Sequence, residues 1–104
     1  MAVKNYWTLA VGKNKKGGNT FVARFEHGKM VYSVFYDERY TDGELKSHTV
    51  LKEMESKKVL YERKTAIAIG KHEIAENGKI DDELLEALGE VVGMAYKEAN
   101  ETKF

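Results

Sequence analysis

The sequence predicts an α+β fold, an antiparallel meander of four or five strands with one amphipathic C-terminal helix packed on one face. Three observations carry that expectation. Seven of the eleven aromatic residues fall between Tyr6 and Tyr36, in three short runs with two-residue periodicity. Polar, glycine-bearing segments separate those runs. Near the C-terminus the periodicity changes: Leu84, Leu85, Leu88, Val91, Val92, Ala95, Tyr96 and Ala99 recur at three- and four-residue spacing, as on one stripe of a helix.

Taken in order, Lys4 to Gly12 alternates, with Trp7, Leu9 and Val11 on one side and Tyr6, Thr8 and Ala10 on the other. The segment Gly12-Lys-Asn-Lys-Lys-Gly-Gly-Asn19 reads as a flexible turn, with positive φ at Gly17 or Gly18. Thr20 to His27 sets Phe21, Ala23 and Phe25 opposite Val22, Arg24 and Glu26. His27-Gly28-Lys29 suits a tight hairpin. Met30 to Tyr36 is apolar on both faces, which marks a central strand. Asp42-Gly43 is a further turn signal before a fourth strand, Glu44 to Leu51. Thr49 to Ser56 fits a strand or a short helix capped by Thr49. Val59 to Ile69 reads as a strand. Asp81 or Asp82 caps the helix, with Glu83 in its first turn. Gly89 and Gly93, four apart, would let a neighbouring element approach closely.

The totals limit what such a chain does. Its 104 residues make one domain, 1–104, large enough for a core without staples. The absence of cysteine excludes disulfides and zinc–thiolate sites and suits the cytoplasm. No run reaches the roughly 18 apolar residues of a membrane span, and the first residues lack the pattern of a signal peptide. The net charge is zero but uneven: +5 over residues 1–25, +1 over 26–72 and −6 over 73–104. A basic N-terminal part beside an acidic helix suits either polyanion binding or an internal charge pairing.

No motif forces a chemistry. The Gly12–Asn19 segment lacks the Gly-x-x-x-x-Gly-Lys-Ser/Thr order of a nucleotide loop, and no helix follows it. Asp42 with Glu62-Arg63-Lys64 has only the bare form of a Mg²⁺-dependent nuclease site. His72-Glu-Ile-Ala-Glu76 lacks the second histidine of a zinc motif. No catalytic residue, metal ligand or cofactor is therefore expected.

What remains is binding. Lys13, Lys15, Lys16 and Arg24 would contact phosphates, and Tyr6 and Phe35 would stack bases on the face turned away from the helix. This predicts a non-enzymatic accessory protein for single-stranded nucleic acid. The alternative is a protein-binding module or inhibitor, similar in size and lack of motifs to small phage accessory proteins. That module would use the same sheet face or the acidic helix, with a homodimer through either as one form; the aromatics would then bury in such an interface, and otherwise under residues 44–58.

Overall fold

The computed structural model describes residues 5–41, 44–66 and 80–101. Five strands follow one another: β1 (Tyr6–Lys13), β2 (Asn19–His27), β3 (Met30–Thr41), β4 (Glu44–Glu53) and β5 (Val59–Ala66). They form one sheet in the order β1-β2-β3-β4-β5, each neighbour antiparallel, so the topology is a plain meander. The helix α1 (Asp82–Glu101) lies across one face, mainly over β1 and β2. The α+β architecture expected from the sequence is thus the one observed.

Residues 44–53 are strand. Thr49 does not cap a helix; its segment alternates Lys46, His48, Val50 and Lys52 against Ser47, Thr49, Leu51 and Glu53. Pairing on both sides, with β3 and β5, outweighs the weak local helix signal. The strand stops where the Glu53 carboxylate takes the backbone N–H groups of Glu55 and Ser56. Lys57 then turns the chain at φ 62°. In the other turns Gly17 (φ 85°) and Gly28 (φ 65°) take the left-handed conformation that favours glycine. Ile67 to Ile69 and Asp42-Gly43 lie outside the described residues.

The core lies between sheet and helix. Phe21, Ala23 and Phe25 of β2, Val34 of β3 and Leu51 of β4 meet Leu88, Val91 and Ala95 of α1, all buried. The register places Phe21 against Tyr36 and Phe25 against Tyr32, and each pair stacks, with ring centroids 5.0 and 5.5 Å apart. Tyr96 of α1 meets Tyr36 edge-on at 5.7 Å. Burying one such side chain contributes roughly 1.5–3 kcal/mol, so this cluster is the main source of stability.

The helix begins where the Asp81 Oδ1 accepts the Leu84 N–H at 2.7 Å, so Asp81 is the cap, with Asp82 and Glu83 in the first turn. Its buried stripe is Leu84, Ala87, Leu88, Val91, Ala95 and Ala99, while Leu85 is exposed. Among the described residues nothing approaches Gly89 or Gly93 closely: a Cβ at either position would meet none of their atoms within 4 Å. The close approach is made by Gly18 instead, where a Cβ would stand 2.2 Å from the Glu38 carbonyl oxygen.

The assignment of β1 to faces needs correction. A β-bulge lies between Thr8 and Ala10. Beyond it Val11 pairs with Phe21 on the helix side, as its alternation predicts. Before it the parity is reversed: Tyr6 pairs with Phe25 and faces α1, whereas Trp7 pairs with Arg24 and faces away. Tyr6 donates from its hydroxyl to the Glu98 carboxylate at 3.4 Å, and Thr8 donates to the same group at 3.3 Å. Trp7 and Leu9, expected beneath the helix, are exposed.

Candidate nucleic-acid interface

Among the described residues no element covers the face opposite α1, here called the open face, and the register arranges its side chains in cross-strand rows. The first row is Trp7, Arg24, Ser33, Lys52 and Val59. The second is Ala10, Val22, Phe35, Val50 and Glu62. The third is Gly12, Thr20, Asp37, His48 and Lys64, and beyond it Arg39 pairs with Lys46. Rows on one face lie two residues apart, about 6.7 Å, and strands about 4.8 Å apart. The centre, Val22-Phe35-Val50, is therefore an apolar strip with cations on either side. Phe35 is 39% exposed and Trp7 37%, so both rings offer surface to a ligand.

The acids of this face already have partners. Asn5 donates to Glu26 at 2.8 Å, and His48 Nε2 lies 2.7 Å from Glu62. Asp37 takes Arg39 Nε at 2.6 Å and Asn14 Nδ2 at 3.0 Å. Burial opposes the Asp37 charge, but hydrogen bonds from Asn14, Arg39 and Thr20 and the Arg39 charge outweigh it and hold the carboxyl below its ordinary value. Among the described residues Arg24, Lys46, Lys52 and Lys64 form no ion pair, and with Arg39 these five cations outnumber the three acids of the face, Glu26, Asp37 and Glu62.

At one end the face dips into a shallow concavity lined by Phe35, Asp37, Arg39, Lys46, His48 and Lys64. His48 meets the Phe35 ring edge-on at 6.3 Å. The lining joins an aromatic ring to basic side chains, the chemistry that can hold a base and its phosphate.

The β1–β2 hairpin is built, not slack. Asn14 organises it: its Oδ1 accepts the N–H groups of Lys16 and Gly18, both at 3.0 Å, and its Nδ2 donates to Asp37 and to the Glu38 carbonyl. The buried Glu38 carboxylate takes the Asn19 N–H at 3.0 Å and the Tyr36 hydroxyl at 2.8 Å, fastening the hairpin base to β3.

Of the residues expected to bind, the structure brings Arg24 and Phe35 together on the open face, in adjacent rows. Tyr6 lies on the opposite face against Glu98, so it is not part of that platform; the bulge is the reason. Lys13 pairs with Asn19 at the hairpin base, and its Nζ bonds the Asn19 side chain. Lys15 and Lys16 are exposed at the tip. Sequence reasoning did not single out Trp7, Arg39, Lys46, His48, Lys52 and Lys64, which the register places on this face. The alternation of Lys46, His48, Val50 and Lys52 was the available signal. The aromatics are not covered by residues 44–58, because 44–53 form a strand of the same sheet.

The enzymatic alternatives gain no support. Asp42 and His72 lie outside the described residues, and Glu62 is engaged by His48. Among the described residues no group of three His, Asp or Glu side chains could hold a metal ion. No helix there is long and apolar enough to cross a membrane. Comparisons with protein-family models, curated proteins and solved structures find no match to this chain.

Proposed function

We propose that this chain is a non-enzymatic binding protein that holds single-stranded nucleic acid on the open face of its sheet. One observation carries the reading: the exposed Phe35 sits in an apolar strip with Arg24 and Lys52 on one side and Arg39, Lys46 and Lys64 on the other. Bases stack on aromatic rings while cations follow the backbone, and neither contact requires a particular sequence. Trp7 and Phe35 stand two strands and one row apart, about 12 Å, which suits bases about two nucleotides apart in an extended strand. Lys15 and Lys16 at the hairpin tip add charge at the rim. The lack of cysteine fits the reducing cytoplasm as the place of action.

The test is fluorescence anisotropy with a labelled oligothymidylate across a salt series. Four phosphate contacts give a log–log slope near roughly −3 for a single strand. A Lys46→Ala, Lys52→Ala, Lys64→Ala triple change lowers that slope, whereas Lys15→Ala with Lys16→Ala lowers it less. Absence of binding in low salt, or an affinity indifferent to salt, sinks the reading.

A second reading, a protein partner or a homodimer, is favoured by the sheet edges. Leu9 on β1 is 52% exposed and Val59 on β5 51%, and edge strands pair readily with another chain. Light scattering across a concentration series tests the homodimer; a constant monomer mass removes it.

A further inference from the structure

The concavity beside Phe35 has a charge arrangement that a uniform backbone track does not need. Its cations come from three strands. Arg39 and Lys46 are partners across β3 and β4, and Lys64 is the β5 partner of His48. All three line the same depression. Asp37, nearly buried, accepts Arg39 Nε at 2.6 Å and so fixes how that guanidinium stands at the rim. Glu62, an acid of the neighbouring row, is tied to His48 and is not among the lining residues.

A phosphodiester inside a strand has two non-bridging oxygens and one negative charge. A terminal phosphomonoester has three such oxygens and a charge of about −1.5 to −2 near neutrality. Arg39, Lys46 and Lys64 line this depression against the one carboxylate of Asp37, three positive charges less one negative, and a net of +2 matches the second group better than the first. A strand that crosses the face from Trp7 over Phe35 reaches this depression.

We infer that the depression is a subsite for the phosphorylated end of a single strand. The terminal base lies over Phe35 and the terminal phosphate between Arg39, Lys46 and Lys64. This inference rests on the reading of the open face as a nucleic-acid interface. The recognised chemistry is a phosphomonoester beside a base, and either a 5′ or a 3′ end supplies it.

The experiment compares oligothymidylates of one length in the same anisotropy assay: 5′-phosphorylated, 3′-phosphorylated, with both ends hydroxyl, and circular. One phosphorylated form is expected to bind about tenfold tighter than the hydroxyl and circular forms, the effect of one charge-assisted hydrogen bond. Which form does so distinguishes the two ends. The preference disappears in Lys46→Ala, Lys64→Ala and persists in Lys58→Ala, which lies in the β4–β5 turn. Lys46 and Lys64 are exposed, so the double variant keeps its fold, checked by circular dichroism. Equal binding of all four probes overturns the end-recognition inference and leaves the open-face reading standing. No binding of any probe in low salt overturns both. A preference that survives the double variant places the phosphate elsewhere and overturns the assignment of this depression.

Discussion

The two faces of this sheet are cut from the same strands yet differ in almost every physical respect. In β2, Phe21, Ala23 and Phe25 are at most 1% exposed, while Val22 and Arg24 between them stay half-exposed. In β3, Tyr32, Val34 and Tyr36 are buried beneath or beside α1, while Phe35 keeps 39% of its surface. The helix face has its rings in stacked pairs and its few polar groups in specific bonds, such as Glu38 with Tyr36 and Asn19. Among the described residues the open face leaves Arg24, Lys46, Lys52 and Lys64 without an ion pair, pairs Arg39 with Asp37, and keeps the Trp7 and Phe35 rings exposed. The difference teaches a division of labour: one face supplies the folding free energy, and the other holds apolar and charged surface that folding does not use. Substitutions on the two faces therefore separate stability from binding.

The largest expected effect tests that separation directly. Phe25→Ala removes a fully buried ring and destabilises by about 3–5 kcal/mol, read from the midpoint of urea unfolding. Phe35→Ala, on the other face of the neighbouring strand, costs under about 1.5 kcal/mol of stability by the same measure, because its ring is already partly in water. It weakens oligonucleotide binding by about 1–3 kcal/mol, or roughly five- to 150-fold. If Phe35→Ala unfolds the protein as readily as Phe25→Ala, the two faces share one structural role and the comparison fails.

Next in size is Asn14→Ala. The Asn14 side chain closes the hairpin and ties it to Asp37 and Glu38, at the margin where the two faces meet. Its loss leaves part-buried donors and acceptors without partners and costs about 1–3 kcal/mol in urea unfolding. Binding to an oligonucleotide at matched folded fraction is expected to change less than in Phe35→Ala, since Asn14 reaches the depression only through Asp37, while Arg24 and Phe35 lie on β2 and β3. A large loss of affinity with an intact fold would instead make the hairpin and its lysines the principal contact.

How far the sequence could be read follows the same division. The alternation of β2 and β3 carried the right face for Phe21, Ala23, Phe25, Tyr32, Val34 and Tyr36, because both strands run without interruption. In β1 the same rule failed at Trp7 and Tyr6, because one extra residue at the bulge changes the parity and leaves no mark in composition. The helix stripe was legible, since 3.6-residue periodicity needs no partner to be recognised. The depression was not. Arg39, Lys46 and Lys64 are up to 25 positions apart, and only the register of three strands brings them to one place. Arg24 and Phe35 were legible because both lie on uninterrupted strands.

A smaller effect separates the helix's buried stripe from its outer side. Gly93→Ala adds a methyl group into open space and is expected to stabilise the protein by up to about 1 kcal/mol through helix propensity. Gly18→Ala goes the other way, because its Cβ would overlap the Glu38 carbonyl at 2.2 Å. Thermal unfolding of the two variants reads the signs. A destabilised Gly93→Ala would mean that some element approaches the outer side of α1 after all.

The smallest effect is a pH dependence, and it separates two adjacent residues, Tyr6 and Trp7. Burial, the Glu98 charge and the bond to Glu98 push the Tyr6 phenol up from 10.0 to about 12 in the folded protein. The fold thus favours the neutral phenol. Below about pH 10 both folded and unfolded chains keep that proton, and the contribution to stability is complete. Between about 10 and 12 the unfolded chain releases the proton and the folded one does not, so stability falls as pH rises. Tyr36 adds to the same decline, since burial and its bond to Glu38 raise its phenol as well. Tyr6→Phe is therefore expected to flatten part of the alkaline decline in urea midpoint while leaving oligonucleotide binding near neutrality unchanged. Trp7→Ala is expected to do the reverse, with the alkaline limb unchanged and binding weakened. Each outcome depends on the bulge that sends these neighbours to opposite faces. If Tyr6→Phe weakened binding and left the alkaline limb as it was, Tyr6 would belong to the open face, and the parity of β1 would have to be reversed.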